Sequence, residues 1–120
     1  MIDPGERSFI ADALLVYYSS DARHRLESAL HAQRWDVWAV SGRASDTTDA
    51  IRMCLADVVV VDGTAKDINI SLAVQHISRT VLHRAVISVR PDLQTVDVYR
   101  EGHRVGFVES LEAALSLYVR

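Results

Sequence analysis

Five short runs rich in apolar and β-branched residues recur along the chain: residues 13–18 (ALLVYY), 36–40 (DVWAV), 57–61 (DVVVV), 85–89 (AVISV) and 104–108 (RVGFV). Each has the length of a strand. Val58, Val59, Val60 and Val61 are continuous rather than alternating, which suits a strand covered on both faces and hence a parallel sheet. The intervening segments carry helical spacing and caps. Ser20 or Asp21 opens a first helix with Ala22, Leu26, Ala29 and Leu30 on one stripe. Ser45 or Asp46 opens a second, with Thr47, Ile51, Cys54 and Leu55 inward, and Asp67 a third, with Ile70, Val74 and Ile77 on one face up to about Arg79. Pro91 stands where a first helical residue belongs, ahead of Leu93, Val96 and Tyr99, with Gly102 as a stop. Ser110 caps a last helix that has Glu112 in its first turn and Leu111, Ala114, Leu115 and Tyr118 facing in.

Five βα units in succession, joined by right-handed crossovers, predict an α/β three-layer sandwich: a flavodoxin-like (βα)5 fold with a parallel five-stranded sheet in the order 2-1-3-4-5. Residues 13–120 form this one domain, and residues 1–12 precede it as a tail, an added strand or an arm that reaches a partner. The 120 residues suffice for a core without disulfide or metal support. A hydrophobic content of 49% with 24% charged residues is that of a globular chain, not a disordered one.

A formal charge of −3 argues against a field that holds nucleic acid or anionic lipid. Arginine dominates the cations, Lys66 being the single lysine. Cys54 is alone, so it forms no intrachain disulfide and lacks the paired spacing of a structural zinc site; it reads as a small buried apolar side chain. No apolar run approaches the ~18 residues that span a bilayer, and the N-terminus lacks a basic stretch followed by an apolar one, so a cytoplasmic protein is expected.

In an open parallel sheet, chemistry collects at the carboxyl ends of the strands. Those ends carry Tyr17, Tyr18, Ser19 and Ser20 after the first strand, Asp62 and Gly63 after the third, Ser88 to Arg90 after the fourth, and Glu109 and Ser110 after the fifth. Together with ADVVVVD at residues 56–62, VISVRPD at 86–92 and REG at 100–102, this order of elements resembles the receiver domain of two-component response regulators over residues 13–120. The resemblance implies that Asp62 occupies the phosphoacceptor position and that Ser88 falls at, or one residue from, the switch Ser/Thr. The rest of the phosphotransfer apparatus departs from the family. Tyr17 and Tyr18 stand where receivers place the acidic pair that holds Mg²⁺, with Asp21 displaced into the helix start. Glu109 stands at the lysine position, followed by Ser110 where the family has Pro, and Lys66 replaces the Pro found four residues after the phosphoacceptor.

Phosphoryl transfer to a carboxylate brings two anions together and depends on a divalent cation and positive side chains. A unit charge pair at ~4 Å and an effective dielectric near 20 contributes about 4 kcal/mol, so Glu⁻ in place of Lys⁺ opposes phosphate binding strongly. Asp62 then has two readings: a phosphoacceptor that needs a rearranged metal site, or a relic whose carboxylate accepts hydrogen bonds from the following turn. The paired tyrosines divide between core and site, where aromatic bulk plugs the volume of metal and water. Ser88 reads as a hydrogen-bonded strand-end hydroxyl or a switch.

Other chemistry is thin. His24 and His31 are seven residues apart on one helix, ~10 Å along its axis, and cannot share a metal; His76, His83 and His103 form no motif. Nucleotide, zinc-protease and hydrolase signatures are missing. Trp38 is expected to cover the sheet edge or pack under a helix, and an exposed Trp35 to anchor a partner. By the same resemblance, Tyr99, Arg100, Arg104, Tyr118 and Arg120 are asked to form an output or dimer face.

The reading is an atypical, degenerate receiver domain: a phosphorylation-independent signalling or protein-interaction module. It is not an enzyme and needs no cofactor. Its partner is a protein, either a kinase, an effector domain or its own copy in a homodimer. The alternative is an authentic receiver phosphorylated on Asp62 by a histidine kinase, which requires Mg²⁺. A third reading, a small flavodoxin-like enzyme or ligand carrier, predicts a deep polar pocket at the strand ends.

Overall fold

A strand buried on both sides must be apolar on both, and the four consecutive valines that end in Asp62 all lie beneath the surface. The computed structural model describes residues 9–82 and 84–118. In chain order its elements are β1 (Phe9–Ile10), β2 (Ala13–Tyr17), α1 (Ser20–Ala32), β3 (Val37–Ser41), α2 (Thr47–Met53), β4 (Cys54–Leu55), β5 (Val58–Asp62), α3 (Ile70–Thr80), β6 (Ala85–Val89), β7 (Val96–Arg100), β8 (His103–Val108) and α4 (Leu111–Tyr118).

The main sheet has six strands in the order β3-β2-β5-β6-β7-β8. Its first four are parallel, as the continuous apolar runs predict, and follow the expected 2-1-3-4 arrangement. Two apolar clusters separate its faces. Leu26 and Leu30 of α1 and Ala114 and Leu115 of α4 pack on Leu15, Val58, Val60, Ile87, Val96 and Val98. Ile51 of α2 and Val74 and Ile77 of α3 pack on Leu14, Val16, Val59, Val61, Val86 and Tyr99. The α/β class and the helices on both faces agree with the sequence.

The last third of the chain corrects the expected five-stranded, all-parallel sheet. Residues 91–102 form no helix: Val96–Arg100 is a strand, and it runs antiparallel to both β6 and β8. Leu93 adopts a left-handed conformation at φ 57°, which ends any helix there. The Asp92 carboxylate accepts bonds from the Gln94 and Thr95 backbone N–H groups and the Thr95 hydroxyl, closing a loop on itself rather than capping a helix. Beyond it, Val96 and Val98 are fully buried and alternate with the half-buried Asp97, the period of a strand. Glu101 and Gly102 then take φ 51° and 85°; two successive positive-φ residues make a tight hairpin turn whose twist suits the flanking strands. On β8 the pairing passes from Gly106 to Arg104, leaving Val105 as an extra, bulged residue.

Smaller differences follow local geometry. Ser19, not Ser20 or Asp21, caps α1 by accepting from the Ala22 N–H, and Asn69, not Asp67, caps α3 through Leu72. Ser110 caps α4 as expected, through the Ala113 N–H. Ala29 and Leu55 are exposed rather than inward. Trp35 is buried, so it is no exposed anchor, while Trp38 packs beside the α2/α3 cluster. Of residues 1–12, Phe9–Ile10 make an added strand parallel to β4. The rest of that segment before Phe9, together with His83, Arg120 and the Tyr118 side chain, lies outside the described residues.

A buried bond ties the hairpin turn to the body: the Gly102 N–H donates to Ser78 Oγ at 2.7 Å, on the otherwise apolar face of α3. Replacing Ser78 by Ala leaves that N–H without a partner, at an expected loss of about 1–3 kcal/mol. Urea unfolding of Ser78→Ala checks this, and an unchanged midpoint refutes the role given to the bond.

Candidate functional site

The carboxyl ends of β2, β5 and β6 converge on Asp62, the one carboxylate among the described residues with no accessible surface. A buried charge demands donors, and the chain supplies three. The Tyr18 N–H donates to Oδ2 at 2.9 Å, the Thr64 N–H to Oδ1 at 2.8 Å and the Thr64 hydroxyl to the same oxygen at 2.6 Å. Both oxygens are therefore engaged from within the chain. Of the two sequence readings, this geometry matches the carboxylate held by its following turn. Gly63 makes the turn feasible: its N–H donates to the Val89 carbonyl at 2.8 Å, and a Cβ there would lie 2.2 Å from that oxygen.

The tyrosines divide by strand parity. Tyr17 packs beside the α1/α4 cluster, its ring 5.0 Å from the Arg23 guanidinium, which also donates to its hydroxyl at 3.3 Å. Tyr18 packs beside the α2/α3 cluster and lies over Gly42, where a Cβ would meet its ring at 2.3 Å. Above it sits Arg43, 5.8 Å from the ring centroid, with Nε donating to the Tyr18 carbonyl at 3.4 Å. Arg43 in turn makes two bonds to Asp67, at 2.9 and 3.0 Å. These bonds hold the Asp67 carboxyl below the usual carboxylate range. The Tyr18 ring thus lies between Gly42 and Arg43 at the exit of β2. Arg43, Thr64 and Gly42 complete the arrangement. The Asp62-x-Thr64 spacing is a local turn pattern that points to Thr64; the approach of Arg43 to Tyr18 is tertiary and left no mark in the chain.

Two sequence-predicted site residues are not brought to Asp62. In the β5–β6 ladder Asp62 pairs with Val89, and Ser88 pairs with Val61. Successive side chains point to opposite faces, so Ser88 follows the α2/α3 face of Val61 and Val86, whereas Asp62 continues the parity of Val58 and Val60. Glu109 follows β8, three strands across from β5, about 14 Å at the usual strand spacing. It is exposed and belongs to the sheet edge, away from Asp62. Lys66 is exposed on the loop after β5, and Asp21 is exposed in the first turn of α1.

Among the described residues, no group of three or more His, Cys, Asp or Glu is placed to hold a metal ion. Burial pushes the Cys54 thiol up, against Arg84 and a backbone bond that lower it, so it is a poor nucleophile. A groove of about 660 Å³ lies between the end of α1 and α4, lined by Arg34, Trp35, Ser110 and Glu112 among others, and is separate from Asp62.

Two outcomes are expected. Asp62→Asn keeps one acceptor oxygen and turns an amide donor toward other donors, which costs about 1–3 kcal/mol in urea unfolding; a neutral effect contradicts the structural role. The Tyr18 hydroxyl is raised above its ordinary value, first by burial and then by the Asp62 charge, with Arg43 opposing. The folded state therefore keeps this proton where the unfolded chain releases it. That contribution is complete below about pH 10 and is lost as pH rises through the folded value. Tyr18→Phe should flatten the alkaline fall in stability, measured by denaturant midpoints across that range; an unaltered slope refutes the assignment.

Compared with models of protein families, with characterised proteins and with solved structures, the chain matches none, so the reading of this site stands on its own geometry.

Proposed function

We propose that this chain is a receiver-like domain that has given up phosphotransfer and works as a phosphorylation-independent signalling or protein-interaction module in the cytoplasm. The observation that carries the reading is the state of Asp62: its carboxylate is buried, and both oxygens accept bonds from Tyr18 and Thr64. An attacking carboxylate oxygen needs an open line to the phosphorus and a cation beside it. Here an attack requires breaking those bonds.

The charge pattern supports the same reading. Lys66, the sole lysine, is exposed, and Arg43 is engaged with Asp67. With no enzymatic role, the module acts through the surface it offers a protein partner: a kinase, an effector domain or another copy of itself. A net charge of −3 favours a protein over a nucleic acid. No helix among the described residues is long and apolar enough to cross a membrane.

The alternative, a working receiver, has in its favour the placement of Asp62 at the carboxyl end of the central strand β5. Amide spectra of the isotope-labelled protein with Mg²⁺ and beryllofluoride separate the two. The expected result is no saturable shift at residues 62–64. Saturable shifts there that vanish in Asp62→Asn overturn the proposal and restore the phosphoswitch.

A further inference from the structure

The segment 91–102, as a hairpin strand, leaves one sheet face uncovered. Phe107 pairs with Asp97 and shares the face of Tyr99, the α3 side, where a fourth crossover helix was expected. No helix covers it there. Val105 and Phe107 remain 48% and 45% exposed, and the Arg90 guanidinium, 4.5 Å from the Phe107 centroid, lies over the ring while bonding Asp97 twice. β8 is also the edge of the sheet, so its outer backbone groups have no strand partner among the described residues.

The edge carries a charge polarity. His103 and Arg104 stand at its start and Glu109 just past its end. Glu109 is exposed and makes no ion pair among the described residues. Arg104 makes a single 3.4 Å contact with Asp97, which Arg90 already engages through two bonds, so most of the five Arg104 donors remain available. Parallel addition of a like strand would bring cation against cation. Antiparallel addition brings each cationic end to the other's acid.

Resting on the reading of the chain as an interaction module, we propose that β8 pairs antiparallel with β8 of a second copy, about a twofold axis through Gly106. This register satisfies three features at once. Gly106 meets its own counterpart, where neither strand carries a side chain. The exposed Val105 lies opposite the exposed Phe107 of the other copy, twice by symmetry, an apolar pair of the β-branched and aromatic kind that stabilises sheets. Glu109 of the other copy meets the cationic start of the strand, where Arg104, paired with Tyr99 beyond the bulge, shares the face of Phe107. The two sheets become continuous, and the interface is isologous and closed. One short, bulged strand with its flanking side chains buries less than a standard interface, which places the association in the micromolar range.

Sedimentation equilibrium of the full chain over a concentration series tests the pairing. A reversible dimer is expected, with the amide signals of residues 105–109 moving as it forms. Glu109→Arg, at a position with no ion pair among the described residues, should weaken the dimer about tenfold, and Arg104→Glu combined with Glu109→Arg should recover it. Val105→Lys should abolish it, with circular dichroism confirming the fold. A monomer at all concentrations, or a dimer indifferent to these substitutions, overturns the pairing. The same series with Mg²⁺ and beryllofluoride tells the two readings apart. An association that requires beryllofluoride defeats phosphorylation independence, whereas the charge swap alone judges the pairing.

Discussion

A carboxylate with no access to water is tolerable only if protein donors replace its hydration, and at Asp62 that requirement organises the whole carboxyl edge of the sheet. One oxygen takes the Tyr18 N–H, fixing where the chain leaves β2 and enters α1; the other takes the backbone and hydroxyl of Thr64, fixing the turn out of β5. Because the Tyr18 backbone is held here, its side chain falls over Gly42, and Arg43 reaches both that ring and Asp67. One buried carboxylate thus sets the path of two strand exits and, through the first of them, the place of the Tyr18 ring over Gly42. Removing a donor while the charge stays costs more than removing a neutral pair, so the arrangement resists gradual change.

The central sheet and the positions of Asp62 and Tyr18 were legible because their causes are local. Continuous valines mean two covered faces wherever they occur, and Ser110 stands three residues ahead of the Ala113 N–H that donates to it, a cap legible from spacing alone. The hairpin was not legible from helical spacing, since Leu93, Val96 and Tyr99 fit a helix stripe while Val96 and Val98 equally fit a strand. What decides between them is Leu93 at positive φ, the Asp92 loop and the Glu101-Gly102 turn. A Glu-Gly pair between two apolar runs was available as a hairpin cue, and was read as a helix stop because a helix was already expected. The face that Ser88 occupies was not legible for a different reason. It depends on the β5–β6 register, and a single residue of offset inverts every side chain. Register is a property of the pair of strands, which neither strand carries alone.

The hairpin and the candidate site are linked through strand count. In the expected sheet, the last strand would lie directly beside β6 and bring its exit loop toward Asp62. Inserting β7 moves that exit one strand further out and leaves Glu109 at the rim. Glu109 therefore has little effect on Asp62: an acid so far from a buried carboxylate, across a solvent-exposed edge, adds little repulsion. The same acid directly on β6 would have faced a like charge in a poorly screened place.

Under the proposed reading, one local event accounts for both the loss of chemistry and the gain of a surface. Folding residues 96–100 as a strand removes the helix that would cover the sheet and withdraws the loop that would carry the positive charge. It also converts the end of the sheet into an antiparallel edge with Val105 and Phe107 exposed. Native edges are usually blunted by bulges and charges, and β8 has both, in the Val105 bulge and in Arg104. Those devices limit promiscuous pairing without forbidding a partner that meets the bulge with an aromatic side chain and the cation with an acid. A strand that carries Phe107 and Glu109 at that spacing, in the opposite direction, is supplied by the chain itself.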